Sequence, residues 1–252
     1  MSMEDILFPD WPAPPRVQAA ITTRRGGCSK APYDSNNLAA HVGDLAEDVL
    51  ANRAQLQQQL QLPAEPQWLN QVHGIKVVEA HTDGQVRTAD ACYSRQAGVV
   101  CSVLTADCLP LLVCDRQGSQ VAAVHAGWRS LADGVIRETL ATFTDPAQCL
   151  VYLAPAISQT HFEVGIDVLE GFYTGAISAA HCESISAAVR PSALHPMKFH
   201  ADLYALARAE LAELGVTQVF GGTRCTFAES DLFYSYRRDG DTGRMASLIW
   251  LV

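Results

Sequence analysis

Among the sequence signals this 252-residue chain lacks are HExxH, a P-loop, GxGxxG and GxSxG. Their absence removes the zinc-protease helix, the triphosphate cradle, the dinucleotide turn and the serine nucleophile elbow. Its 8 cysteines include no CxxC pair and its 8 histidines no HxH pair. Basic residues are few, with 18 Lys and Arg against 27 Asp and Glu and a net charge of -9. That balance disfavours a nucleic-acid phosphate track or an anionic membrane surface and leaves a small molecule or a protein as the expected partner. The longest apolar run, 97–115, is broken by Asp107 and Pro110, so no membrane-spanning helix is expected. The opening MSMEDILFPDWPAPP has acids and prolines where a secretory signal needs a basic stretch and then an apolar one. A cytoplasmic location with reduced, mostly core thiols is expected.

The hydrophobic content of 48% and charged content of 18% are those of an ordinary soluble globular protein. The two halves of 97–115 and QVAAVHAGW read as buried strands, and VQAAITTR, CLVYLAPAI and VTQVFGG as further strands. QWLNQVH and KVVEA read as a strand pair around Gly74, and DLFYSYRR with MASLIWLV as a terminal pair joined by a Gly- and Asp-rich turn. The 44–62 segment has helical period behind a capping-box spacing of Asp44 and Glu47, and Ser130 with Asp133 supplies a second such box. GIDVLEGFYTGAI reads as a helix, as does ADLYALARAELAEL, closed by Gly215. Strands and helices alternate without a regular βαβ count. The expectation is one mixed-sheet α/β domain over residues 1–252, with helices outside the sheets.

Asp107 and Cys108 sit at the junction of the two strands in 97–115. An unpaired charge in such a setting costs on the order of several kcal/mol. His73 in QVHG, Cys108 in ADCLP and His125 in VHAGW each follow an apolar segment and precede Gly or within two residues Pro, as strand-end residues do. Two imidazoles and a thiolate suffice for zinc with a fourth position left for water. Asp107 then orients a ligand imidazole or a water, or acts as a proton shuttle, with a purely structural role as the alternative. The spacing matches no compact ligand motif, so core histidines and a core thiol remain the competing reading. The HxE of His181 and Glu183 lacks the PCxxC of a zinc deaminase.

Eight segments in order, TTRRGGCS, SNNLAAHVGD, NQVHGIKV, ADAC, TADCLPLLV, VHAGWRS, APAIS and SYRRDGDTGRMASLIWL, resemble a bacterial family. Its labels are laccase-domain polyphenol oxidase, peptidoglycan editing factor and purine nucleoside phosphorylase. The resemblance runs from Thr22 to Leu251, with SNNL, APAI and HAGWRS standing where SLNL, GPAI and HAGWRG are usual. It implies a single mixed α/β (α+β) domain of layered sheets flanked by helices. It also implies a zinc held by His73, Cys108 and His125, with copper as an alternative or adventitious metal. Arg24, Asn37, Arg129, Arg237 and Arg244 lie in matching polar motifs and are candidates for phosphate or ribose, the structural alternative being a brace around the last turn. Cys225 reads as a core thiol or a neighbour of the metal. His41, His81, His161, His195 and His200 read as surface or structural histidines.

The family labels imply different reactions. A multicopper laccase needs about ten histidines and paired HxH segments, so eight without a pair argue against it. One zinc with an open position suits Lewis-acid or activated-water chemistry. The resemblance implies phosphorolysis of adenosine, inosine, guanosine and S-methyl-5′-thioadenosine, and deamination of adenosine. The alternatives are hydrolysis of a wrongly incorporated amino acid from a cell-wall precursor, a metal-free cysteine hydrolase using Cys108 and His125, and a zinc-stabilised binding protein without turnover.

Overall fold

Apolar runs in which every residue is buried demand cover on both faces, and two stacked sheets provide it. The computed structural model describes residues 2–252. One sheet has the antiparallel order β1 (Ile6–Leu7), β2 (Val17–Thr22), β15 (Met245–Leu251), β7 (Val100–Thr105). The other runs β14 (Gln218–Gly221), β10 (Cys149–Leu153), β8 (Leu109–Asp115), β9 (Val121–Ala126), β6 (Ala91–Ser94), β4 (Val77–Glu79). Its inner pairs are antiparallel and both edge pairs parallel. Two small sheets, β11 (Glu163–Val164) with β13 (Phe199–Ala201) and β12 (Val189–Pro191), and β3 (Leu69–Asn70) with β5 (Arg87–Thr88), lie outside this pair.

The two-residue side-chain period sets the layers. In β8, Leu112 and Cys114 face the four-stranded sheet and pack with Val103 and Ile249. Leu109, Leu111 and Val113 face the other way, onto α2 (Trp128–Asp133), α3 (Val135–Leu140), α4 (Ile166–Thr174), α5 (Ala179–Ala187) and α6 (Leu203–Glu213). Beyond the four-stranded sheet, Ala20, Leu104, Leu248 and Trp250 pack on Leu38 and on Leu56 of α1 (Ala46–Gln59). The result is a helix–sheet–sheet–helix stack, the mixed α+β class expected from the sequence. No helix among the described residues is long and apolar enough to cross a membrane.

Four local expectations are corrected. The segments around Gly74 do not pair with each other; β3 joins β5 and β4 joins β6, both in parallel. DLFYSYRR forms no hairpin, because β15 is already paired on both edges. Ser235 instead caps the short helix α7 (Tyr236–Asp239) by accepting from the Arg238 N–H. Asp44 closes no capping box, since its carboxylate takes Ser29 Oγ, Asn37 Nδ2 and the Leu45 N–H. Ser130 lies inside α2, which starts behind Gly127, and its hydroxyl has no partner among the described residues.

The layering fixes where chemistry can lie. β7 and β8 belong to different sheets, so residues 106–108 carry the chain across the interface. Asp107 adopts φ +94° there. Its carboxylate accepts from Thr226 Oγ1 at 2.6 Å, Ser235 Oγ at 3.0 Å and the Arg237 N–H at 2.7 Å. Three donors account for the buried charge of Asp107.

Candidate metal centre

Three loops and strand ends of the six-stranded sheet meet where the crossing ends. Cys108 stands directly before β8, and the pairing of Leu109 with Ala126 sets it beside the end of β9, which carries His125. His73 arrives on the loop between β3 and β4, with φ +59°. A non-glycine residue in that left-handed region costs about 1–2 kcal/mol and persists only where its surroundings hold it.

Asp90 does the holding. Its carboxylate, fully buried between β5 and β6, accepts from the backbone N–H groups of Val72 at 3.3 Å, His73 at 2.9 Å and Gly74 at 2.7 Å. The same carboxylate contacts His125 Nδ1 at 2.8 Å. One group therefore fixes the backbone of one imidazole and the ring of another. With Nδ1 donating to Asp90, Nε2 of His125 is left free to ligate. Gln71 anchors the same loop to β7, its amide both donating to the Leu104 carbonyl and accepting from the Leu104 N–H at 2.8 Å.

The ligand atoms of His73, Cys108 and His125 lie within 4.8 Å of one another. Cys108 Sγ is 3.7 Å from His73 Nε2. Tetrahedral zinc with Zn–S of about 2.3 Å and Zn–N of about 2.0–2.1 Å sets such atoms about 3.6 Å apart, so the donor set fits a metal ion. Gly127 is a condition of this closeness. A Cβ there would stand 2.5 Å from His73 Cδ2 and 3.2 Å from Cys108 Sγ.

Burial alone would push the Cys108 thiol up, but the His125 and His73 imidazoles beside it prevail and bring it down to about 6. Burial likewise disfavours charge on His125, yet the Cys108 sulfur and the Asp90 carboxylate raise it to about 9. The two shifts favour a thiolate beside an imidazolium, and a metal bound there would take the place of the proton.

The cluster forms one side of a cavity of about 250 Å³, whose lining includes His41, Gln71, Leu104, Tyr236 and Arg244. Of the five polar candidates, Arg244 alone faces this cavity. Its Nη1 donates to the carbonyls of Thr242 and Gly243, and among the described residues Nε and Nη2 have no protein partner. Arg24 is committed elsewhere, to the Asp34 carbonyl, the Asp34 carboxylate and the Ser230 carbonyl, in a separate groove. Asn37 is fully buried, and its Oδ1 accepts from the Arg244 N–H at 3.0 Å, so it braces the backbone of Arg244. Arg129 lies over Trp128, and Arg237 donates to the Glu163 carbonyl. Asp107 does not line the cavity. The carboxylate at the imidazole is Asp90, and the signal for it was one acid in the otherwise apolar run ADAC. His41, expected at the surface or in a structural role, lines the cavity. Cys225 lies against Ser158 and His161, away from the cavity lining.

Residues 18–252 match the family model described as multi-copper polyphenol oxidoreductase laccase. A Pseudomonas aeruginosa protein named purine nucleoside phosphorylase is 52% identical over 97% of this chain and 98% of its own. Purine nucleoside phosphorylase YfiH of Escherichia coli is 48% identical over 99% and 100%. Among solved structures, a Neisseria meningitidis protein of the family DUF152 aligns with TM-score 0.91 and 50% identity, covering 98% of this chain and 99% of that one. YlmD of Geobacillus stearothermophilus aligns with TM-score 0.83 and 29% identity, covering 94% and 92%.

Two outcomes follow from Asp90 and the thiolate–imidazolium pair. Asp90→Asn keeps the size of the side chain but removes its charge, and is expected to weaken metal binding roughly ten- to a hundredfold by competition with a chromogenic chelator. Between about pH 6 and 9, metal binding should release roughly one proton from the pair, measurable by calorimetry in buffers of different ionisation enthalpy. Affinity therefore rises with pH through that window and levels off above it, whereas below it the thiol adds a second proton. No proton release at pH 7.5 contradicts the ion pair.

Proposed function

Because this chain belongs to the family described as multi-copper polyphenol oxidoreductase laccase, and its relatives at 48–52% identity are named purine nucleoside phosphorylases, we propose that it cleaves purine nucleosides with phosphate. The observation that carries this reading is the cavity itself. Its lining brings the candidate ligands His73, Cys108 and His125 together with a guanidinium whose Nε and Nη2 have no protein partner among the described residues. The product pair is a free purine and ribose 1-phosphate.

Zinc is the metal we assign to His73, Cys108 and His125, and when bound it supplies Lewis-acid stabilisation of negative charge at the reacting centre. Arg244 offers two donors for bidentate capture of a phosphate oxyanion. Its N–H is pinned by Asn37, which keeps the fork in place. Leu104 and Ala106 give the cavity an apolar wall that limits water around the anomeric carbon. The Gln71 amide is held in place by the Leu104 backbone and keeps one N–H for a base edge. The substrates of this reading are inosine, guanosine, adenosine and S-methyl-5′-thioadenosine. Hydrolytic deamination of adenosine, which needs water in place of phosphate, belongs to the same cavity. Asp107, which accepts from three donors and does not line the cavity, is read here as holding the crossing rather than moving a proton.

One observation favours a second reading, a metal-free hydrolase with Cys108 as nucleophile and His125 as base. It is the Cys108 sulfur set against the His73 and His125 imidazoles, which lower the thiol, while the sulfur and Asp90 raise the His125 ring. Chelation separates the two: exhaustive metal removal abolishes a metal-dependent phosphorylase and leaves the hydrolase active.

The metal-loaded protein is expected to convert inosine to hypoxanthine in phosphate buffer and not in its absence, as read by a coupled xanthine oxidase assay. Arg244→Ala should raise the apparent KM for phosphate by roughly ten- to a hundredfold, the value of charge-assisted hydrogen bonds, while adenosine deamination falls far less. Equal loss of both activities contradicts the phosphate role of Arg244. No cleavage of inosine by the metal-loaded wild type contradicts the phosphorylase reading.

A further inference from the structure

Tyr236 is an anomaly at the mouth of the cavity. A tyrosine ring that large is ordinarily half-buried or better, yet it is 60% exposed while lining the same cavity as the metal cluster. Its hydroxyl makes no hydrogen bond among the described residues, and what approaches its ring is the Arg244 guanidinium. The backbone that carries it is nevertheless firmly held. Ser235, just before it, donates its hydroxyl to Asp107 and accepts from the Arg238 N–H. Arg237, just after it, gives its N–H to the same Asp107 carboxylate. Phe233 and Tyr234, which lead into the turn, are fully buried.

The ring therefore has a rigid base and an open face. The Arg244 guanidinium lies over one face of the ring, 5.9 Å from its centroid, on the side of the proposed phosphate position, and leaves the other face for stacking. An exposed aromatic plane with a fixed backbone, next to a cation and lining the same cavity as the candidate metal ligands, is suited to a flat heteroaromatic group, since stacking needs only a π-face. The Gln71 amide is held by the Leu104 backbone, while the exposed Tyr236 face is free to take a base.

We propose that Tyr236 is the stacking platform for the purine base, and that Asp107 is the positioning residue that sets it through Ser235 and Arg237. The proposal rests on the nucleoside reading above and deepens it. Asp107 then serves the site at one remove: the carboxylate that fastens the crossing before Cys108 also fixes the turn opposite. The sugar and phosphate lie toward the metal and Arg244, and the base lies outward on the ring.

Calorimetric titration of the metal-loaded protein with inosine in phosphate-free buffer, and separately with ribose 1-phosphate, tests this. Tyr236→Leu, a change at an exposed position that leaves the core untouched, should weaken inosine by roughly tenfold or more, with metal content unchanged. Tyr236→Phe should restore wild-type affinity because the face is retained. Ribose 1-phosphate, which has no base, should bind wild type and Tyr236→Leu equally. Inosine bound as tightly by Tyr236→Leu as by wild type overturns the platform, and so does an equal loss for ribose 1-phosphate. A wild-type protein that binds neither ligand overturns the nucleoside reading itself, which distinguishes the two failures.

Discussion

The buried Asp90 carboxylate is the acceptor on which the metal centre depends. Without it, three backbone N–H groups of the 72–74 loop lose their partner, His73 loses the contacts that hold it at positive φ, and the tautomer of His125 is unfixed. A charge this deep persists because four donors meet it, and removing either side of such an arrangement costs about 3–5 kcal/mol. Burial opposes the ionised carboxyl, but the His125 imidazole and the Gly74 and Val72 N–H groups hold it below its ordinary range. Structure and electrostatics are here the same interaction.

A second carboxylate, Asp107, works on the opposite side of Cys108. Its partners come from residues 226 to 237, so it ties the crossing between the sheets to the turn that bears Tyr236. The cavity lining holds the three candidate metal ligands and the Arg244 guanidinium. Gly127 lets the strands approach closely enough for the thiolate and His73 to meet. The two-sheet stack supplies the rigid frame that keeps these loops in register.

Much of this was legible in the sequence because buried strands and strand-end ligands leave local marks. Cys108 and His125 each stand beside a fully apolar run, and β8, β9, α4 and α6 fall where composition and period put them. What was not legible depends on distant chain. Asp90 and Asp107 are the same anomaly in sequence, one acid in an apolar run. Which of them meets an imidazole is decided by loops that fold back only in the assembled sheet. Arg24 and Arg244 likewise look equivalent until Asp34 and Ser230 are found to occupy the first and an open cavity faces the second. The terminal hairpin failed for a related reason: β15 has strong pairing propensity, but β2 and β7 take both of its edges.

X-ray absorption at the zinc edge of the purified protein tests the central claim most directly, since it reads ligand type and number without an assay. The account predicts one sulfur at about 2.3 Å, two imidazole nitrogens at about 2.0–2.1 Å and one further light atom at the open position. A shell without sulfur, or one filled by four protein ligands, contradicts it.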